Sequence, residues 1–435
     1  MAIAKLGFLC CLLLPPVGLA AQQAAAPAQP TELSLEQAEA IAVANQPRLL
    51  AEQLRAKAYA QRIREARAGL QPLVAFNATG ALIADTGTAT AAGALTTSSI
   101  SDRFAYGGNL TQLVTDFGRT SALVQSTRYQ ATAQADLATL TKAQVRLNVR
   151  EAYYGTLGAE AVLRAAEAAQ ANRRLISRQL EALAQNELRS TLDVNFAKVL
   201  ESEAELAVVR ARSTVAQVRS QLATAMGQQQ PVGARLVEPA TPVAIPAAPE
   251  EIVAQAQTQR ADLSAAQAQQ KAAQEFASSE KRLSYPSLNV LGAAGQLPFH
   301  DHTLHDSYAA AGFNLNIPVF NGGLFAARRA EAELEATART RDTAELRLEV
   351  NQQVRDSWYR ADEAYRSLDV TARLVAQSKE ALRLAQDRYD AGLGSIVELN
   401  EAQLNETSAE ISAADATYTY LSRRAELDFA AGLLN

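Results

Sequence analysis

The chain has 435 residues, with 41 Lys and Arg against 46 Asp and Glu and a formal net charge of −5. Two or three ordinary globular domains fit that length. The acidic balance, with no basic stripe interleaved with aromatics, argues against a nucleic-acid partner, and no run of 18 apolar residues occurs after the first twenty, which excludes a spanning helix.

Met1 to Ala20 read as a secretory signal: Lys5, an apolar run from Leu6 to Leu14, Pro15-Pro16, and the small-residue site Gly18-Leu19-Ala20. Both cysteines, Cys10 and Cys11, fall inside it, so the mature chain is expected to hold no disulfide or thiol chemistry. Phe8-Leu9 before Cys10 lacks the small residues of a lipidation site. Without Lys5 the charges are 40 basic against 46 acidic, a net of −6.

Residues 21–33, with Pro27 and Pro30, read as a flexible lead-in. Ser34-Leu35-Glu36-Gln37 predicts a capping box, opening a helix that Pro47 interrupts and that resumes to about Gly69. Strand-like segments at 72–84 and 102–116 form a first hairpin, 72–116, and helical pattern then fills 119–226 with a break at Asn186 to Ser190. The proline-rich stretch 227–249 reads as a connection. After it the order repeats: a helix near 250–283, strands near 286–297 and 306–320 (a hairpin, 286–320), and helix over 323–433 with one break at Gly392-Leu393-Gly394.

The repetition extends to the residues. Ser190-Thr191-Leu192-Asp193-Val194 corresponds to Ser395-Ile396-Val397-Glu398-Leu399 at an offset of 205 (395 − 190), which also pairs Gly107 with Gly312 and Leu110 with Leu315. Two repeats are expected, 34–226 and 250–435, in a mainly α chain with a small β part. A helix over 323–391 is on the order of 100 Å long at ~1.5 Å per residue. Val354, Trp358, Ala361, Tyr365, Leu368, Ala372 and Val375 follow a coiled-coil seam along it, and Leu137, Leu140, Leu147, Tyr154 and Leu157 fit the equivalent pattern in the first repeat. A rod of this length has no compact core and must lie against other rods.

The strands alternate. Phe313, Leu315, Ile317 and Val319 oppose Gly312, Asn314 and Asn316; Phe104, Tyr106, Leu110 and Val114 oppose Asn109, Thr111 and Thr115. Apolar-out, polar-in strands of about ten residues are the pattern of an outer-membrane barrel, though a soluble half-buried sheet shows it too. Phe76, Phe104, Tyr106, Phe299 and Tyr308 are candidates for interfacial aromatic girdles. Four strands cannot close a barrel, and lipid tolerates no open edge, so a membrane reading requires sister copies.

On these residues the mature chain resembles the TolC-like outer-membrane efflux protein family. The resemblance is carried by Tyr389-Asp390-Ala391-Gly392-Leu393-Gly394-Ser395-Ile396-Val397-Glu398-Leu399 and by its counterpart Leu188-Arg189-Ser190-Thr191-Leu192-Asp193-Val194. The strand-to-helix passages Asp116-Phe117-Gly118-Arg119 and Pro318-Val319-Phe320-Asn321-Gly322-Gly323 add to it. It implies an α-helical barrel of long coiled coils crossing the periplasm and a four-strand share in a trimeric twelve-stranded transmembrane β-barrel. It also implies the outer membrane of a Gram-negative bacterium as location. The implied partners are sister copies in a homotrimer, outer-membrane lipid, a periplasmic adaptor and an inner-membrane transporter; no cofactor is implied.

By the same resemblance, Leu188, Arg189, Ser190, Gly392, Leu393, Gly394 and Ser395 form the adaptor-docking tips. Glu398, Glu401 and Asp193 form an acidic ring narrowing the aperture, with plain helix solvation as their bland alternative. Glu187 stands where a Gly is usual, which leaves the first tip's turn geometry open. Gly394 stands where some members carry an Arg that ties the closed tip, and Arg189 is a candidate substitute.

His300, His302 and His305 cluster in the second hairpin loop as candidate metal ligands, against the plainer reading of a polar extracellular loop. No zinc-protease or phosphate-cradling motif occurs. The expected function is the outer-membrane channel of a tripartite efflux or type I secretion system, for drugs, metal cations or polypeptides. A periplasmic coiled-coil scaffold without channel activity is the alternative, and an enzyme is disfavoured.

Overall fold

The computed structural model describes residues 31–81, 91–92, 95–96, 103–187, 190–239, 243–246, 248–300 and 305–435. The expected signal segment, Leu188, Arg189 and His302 lie outside these.

The chain opens with β1 (Glu32–Leu33), α1 (Leu35–Asn45) and α2 (Pro47–Ala68). Ser34 caps α1 reciprocally: the Gln37 amide donates to its hydroxyl at 3.3 Å, and its own amide donates to Gln37 Oε1 at 3.0 Å. Pro47 occupies the first turn of α2, where its missing N–H removes no helix bond. Four strands follow, β2 (Leu73–Ala81), β3 (Ala91–Ala92), β4 (Leu95–Thr96) and β5 (Arg103–Thr115). Then come the 67-residue α3 (Arg119–Gln185), the 35-residue α4 (Thr191–Ala225), and β6 (Arg235–Leu236), which pairs in parallel with β1.

The second half holds α5 (Pro249–Gln259), α6 (Ala261–Lys281), β7 (Ser287–Phe299), β8 (Ser307–Asn316), the 67-residue α7 (Leu324–Asp390) and the 35-residue α8 (Ile396–Ala430). The single helix expected near 250–283 is two helices broken at Arg260 without a proline. Arg260 is 7% exposed, and its guanidinium donates to Asp262, to Gln353 Oε1 at 2.9 Å and to the Ala430 carbonyl at 3.5 Å. These tertiary bonds hold it at ψ 124°, outside the helical range. The last strand ends at Asn316, not near 320, because Pro318 has no N–H to give a ladder. Ile317 and Val319 therefore lie beyond it.

The backbone itself carries the repetition. Among the described residues, eight have positive φ: Phe117, Gly118, Glu187, Gly227, Gly322, Gly323, Gly392 and Gly432. They fall into four pairs, each at the same offset (322 − 117, 323 − 118, 392 − 187 and 432 − 227, all 205). The left-handed turns ending strands and helices were therefore duplicated along with the sequence. In the first repeat two of them are filled by Phe117 and Glu187, at φ 54° and 58°, a conformation that costs a non-glycine residue roughly 1–2 kcal/mol.

The sheet runs β2-β5-β7-β8, antiparallel throughout. Its register sorts the side chains. Val74, Phe76, Leu110, Val290, Phe313 and Leu315 share one face through the pairs Val74↔Leu110, Leu110↔Gly292, Val290↔Phe313 and Leu288↔Leu315. Asn77, Asn109, Thr111, Asn289, Asn314 and Asn316 share the other, where Asn77 Nδ2 donates to Asn109 Oδ1 at 2.9 Å. Phe313 is 76% exposed and Phe76 72%. The girdle expectation needs one correction: Tyr308 pairs with Gly295 and lies on the polar face, its hydroxyl packed over Gly107 and Gly295, where any Cβ would collide with it.

The rods pack side by side, α3 against α4, α2, α6 and α8, and α7 against α8 and α6. Buried apolar residues concentrate at mid-length in two clusters. One gathers Leu49, Tyr153, Leu157, Leu222 and Met226; the other gathers Ile252, Val350, Val354, Trp358 and Leu427. Tyr153 is 1% exposed and its hydroxyl lies 2.9 Å from the Leu33 carbonyl and 2.7 Å from that of Val237, tying α3 to the β1–β6 pair. Desolvation of that hydroxyl pushes its pKa up to about 12, so it stays protonated in ordinary buffers.

Candidate functional site

The residues expected to form the docking tip lie at two equivalent helix–turn–helix joints. Ser190 and Ser395 cap α4 and α8: Ser190 Oγ accepts from the Leu192 amide at 3.1 Å, and Ser395 Oγ from the Glu398 amide at 3.2 Å. Each cap satisfies an amide the helix leaves bare, contributing about 1 kcal/mol. Asp193 and Glu398 both sit third in their helices, where a carboxylate meets the positive end of the helix dipole. In the second joint, the Leu393 and Gly394 amides both donate to the Arg388 carbonyl, at 2.8 and 3.0 Å, with Gly392 at φ 74°. The first joint has the same hand of turn, since Glu187 adopts φ 58° where its counterpart is Gly392. Leu192 and Leu393 stand 73% and 77% exposed beside the two turns.

Glu398 and Glu401 are exposed and one turn apart, so they share a helix face. Glu398 Oε1 lies 3.2 Å from Arg388 Nε, linking the start of α8 to the end of α7. Arg189, the residue considered for an electrostatic tie, lies outside the described residues; Arg388 is a basic partner of Glu398. The sequence carried that signal in the residue directly before Tyr389. With side chains 58% and 45% exposed, the pair contributes at most about 1 kcal/mol to stability. Its consequence lies in the charge it cancels.

At the opposite end, His300 Nε2 lies 2.9 Å from Asp306 Oδ1 and closes the base of the β7–β8 loop, with the Leu297 amide donating to the Asp306 carbonyl at 2.8 Å. His305 is exposed and His302 is outside the described residues. Among the described residues, no three His, Cys, Asp or Glu side chains are grouped to hold a metal ion.

A sheet apolar on one face and polar on the other, continued by paired rods that turn at capped joints, is the TolC-like fold. Residues 252–433 match the model of the family described as outer membrane efflux protein. A stretch of 124 residues is 24% identical to the outer membrane protein TolC of Salmonella enteritidis, spanning 28% of this chain and only a quarter of that relative's length. The fold matches almost throughout. The structure of CusC covers 92% of both chains at TM-score 0.79 and 17% identity. The open state of the MtrE outer membrane channel of Neisseria gonorrhoeae covers 92% of this chain and 88% of its own at TM-score 0.76 and 21% identity. Over residues 252–433 the chain matches the outer membrane efflux family, and over 92% of its length its fold is that of outer-membrane efflux channels, which indicates the outer membrane as its location.

Proposed function

We propose that the protein is the outer-membrane channel of a tripartite efflux or type I secretion system, passing solutes from its periplasmic tip to the exterior. The observation that carries this reading is the sheet: four antiparallel strands with one apolar face and, among the described residues, two unpaired edges, β2 and β8. Unpaired edges of this length invite pairing with another chain, and lipid admits only closed barrels. Three copies joined β8 to β2 give twelve strands, within the range of known barrels. The long helices then form the wall of a twelve-helix tube, and the exposed turns around Ser190 and Gly392 to Ser395 face a periplasmic adaptor that is itself paired with an inner-membrane transporter. The reading assigns no catalysis to the chain; the transporter supplies the energy.

In the trimer, Asp193, Glu398 and Glu401 ring the narrowed tip and select cations, as rings of carboxylates do. Glu398→Ala combined with Glu401→Ala is expected to lower the cation-over-anion permeability ratio several-fold in planar bilayers. An unchanged ratio removes the ring from the account. Arg388→Ala is expected to move the ratio the other way, because it unmasks the Glu398 charge, and to leave the melting temperature within a few degrees of wild type.

A further inference from the structure

A groove of about 530 Å3 lies behind the tip, walled by α3, α4 and α8, a size suited to a small organic ligand. Phe196, Leu200, Leu404 and Ile411 supply apolar walls. Its polar groups are sorted by depth. At the floor is Asn400, 7% exposed, whose Oδ1 accepts from Arg173 Nη1 at 2.5 Å while Arg173 Nη2 donates to the Asn400 carbonyl at 3.4 Å. The Asn400 amide nitrogen is buried with no partner. A buried donor left unmade costs about 1–3 kcal/mol. Arg173 is half-buried, and its guanidinium retains N–H groups beyond the two that Asn400 takes. At the rim stand Glu203 and Glu401, both exposed, leaving two carboxylates against one guanidinium along the groove.

We infer that this groove binds small amphipathic zwitterions, with the acceptor group at the Arg173 guanidinium that Asn400 positions, the ammonium at Glu203 and Glu401, and the apolar body on the walls between. Donors at a partly dehydrated floor favour an anion or acceptor, and the carboxylate left over once Arg173 offsets one of the two favours a cation at the rim. A ligand carrying only one of these groups leaves half of the site unmatched. Because Glu401 belongs to both, the groove opens on the face that carries the aperture acids, which makes it a substrate site of the proposed channel. The inference rests on the channel reading for that position alone.

The test is titration calorimetry on the purified trimer with the dipeptide phenylalanyl-leucine, its N-acetyl form (an anion) and its C-terminal amide (a cation). The zwitterion is expected to bind at least fivefold more tightly than either blocked form. Arg173→Ala is expected to weaken the zwitterion at least tenfold and not to weaken the amide, since it removes the cation that offsets the rim acids. Asn400→Asp holds the α3–α8 contact but supplies Arg173 with a permanent carboxylate, so it too is expected to weaken the zwitterion tenfold; a purely structural Asn400 predicts no such loss. Leu200→Trp, which fills the groove from its wall, is expected to abolish binding of all three. No heat with the wild type, as when a neighbouring copy fills the groove, overturns the inference. Equal affinity for the three forms, or wild-type affinity in Asn400→Asp, also overturns it. Conductance of the same preparation in planar bilayers is read separately, so a conducting trimer that binds nothing fails this inference and spares the channel.

Discussion

Phe313→Arg is expected to prevent assembly of the protein in the outer membrane, whereas Asn314→Arg, one residue further along the same strand, is expected to be tolerated. Phe313 is paired with Val290 on the apolar face, and Asn314 with Asn289 on the polar face. An arginine facing lipid near the bilayer midplane costs about 2–4 kcal/mol per copy, while substitutions facing the lumen chiefly tune selectivity. Three copies multiply the first penalty to about 6–12 kcal/mol, comparable with the whole stability of a domain. The readout is the fraction of each variant that sediments with outer membranes and resists carbonate extraction. Identical behaviour of the two variants contradicts the assignment of faces.

The second large effect is expected at the mid-length core of the rods. Trp358 is 8% exposed among Ile252, Val354 and Leu427, and its indole N–H donates to the Pro246 carbonyl at 3.0 Å. That bond pins the connection between the repeats onto α7, so the side chain joins the long rod, the last helix and the linker. Trp358→Ala removes the ring and the bond together and is expected to cost about 3–5 kcal/mol. Trp358→Phe keeps much of the volume and strands the carbonyl, for about 1–2 kcal/mol. Thermal unfolding followed by far-UV circular dichroism separates the two: the alanine variant melts well below the phenylalanine variant, which melts below wild type. Coincident curves would show that this cluster bears no load.

Much of this architecture is legible in the sequence because its determinants are local. The capping box at Ser34, the proline at 47, the glycines of the break at 392–394 and the alternation in 308–316 each act within a few residues of themselves. The break at Arg260 was not legible, because the residues that hold it extended, Gln353 and Ala430, lie far along the chain. Tyr308 is a similar case: its alternation places it on the polar face, yet aromatic identity alone argued for an interfacial girdle. Glu187 left the first turn open from sequence, because a left-handed non-glycine residue is held only by surrounding structure. At the candidate site, the acids were visible as a motif, but the pairing of Glu398 with Arg388 depends on how the turn folds back. The groove is not legible in the sequence, because the burial of Asn400 and its contact with Arg173, 227 residues away, appear only once α3 and α8 pack.

The measurement that tests the central claim most directly is native mass spectrometry of the protein released from detergent micelles. Sealing the edges of β2 and β8 against sister sheets requires three copies, so the account predicts one dominant species at three times the protomer mass. A dominant single-copy species, with the apolar sheet face left bare, would contradict it.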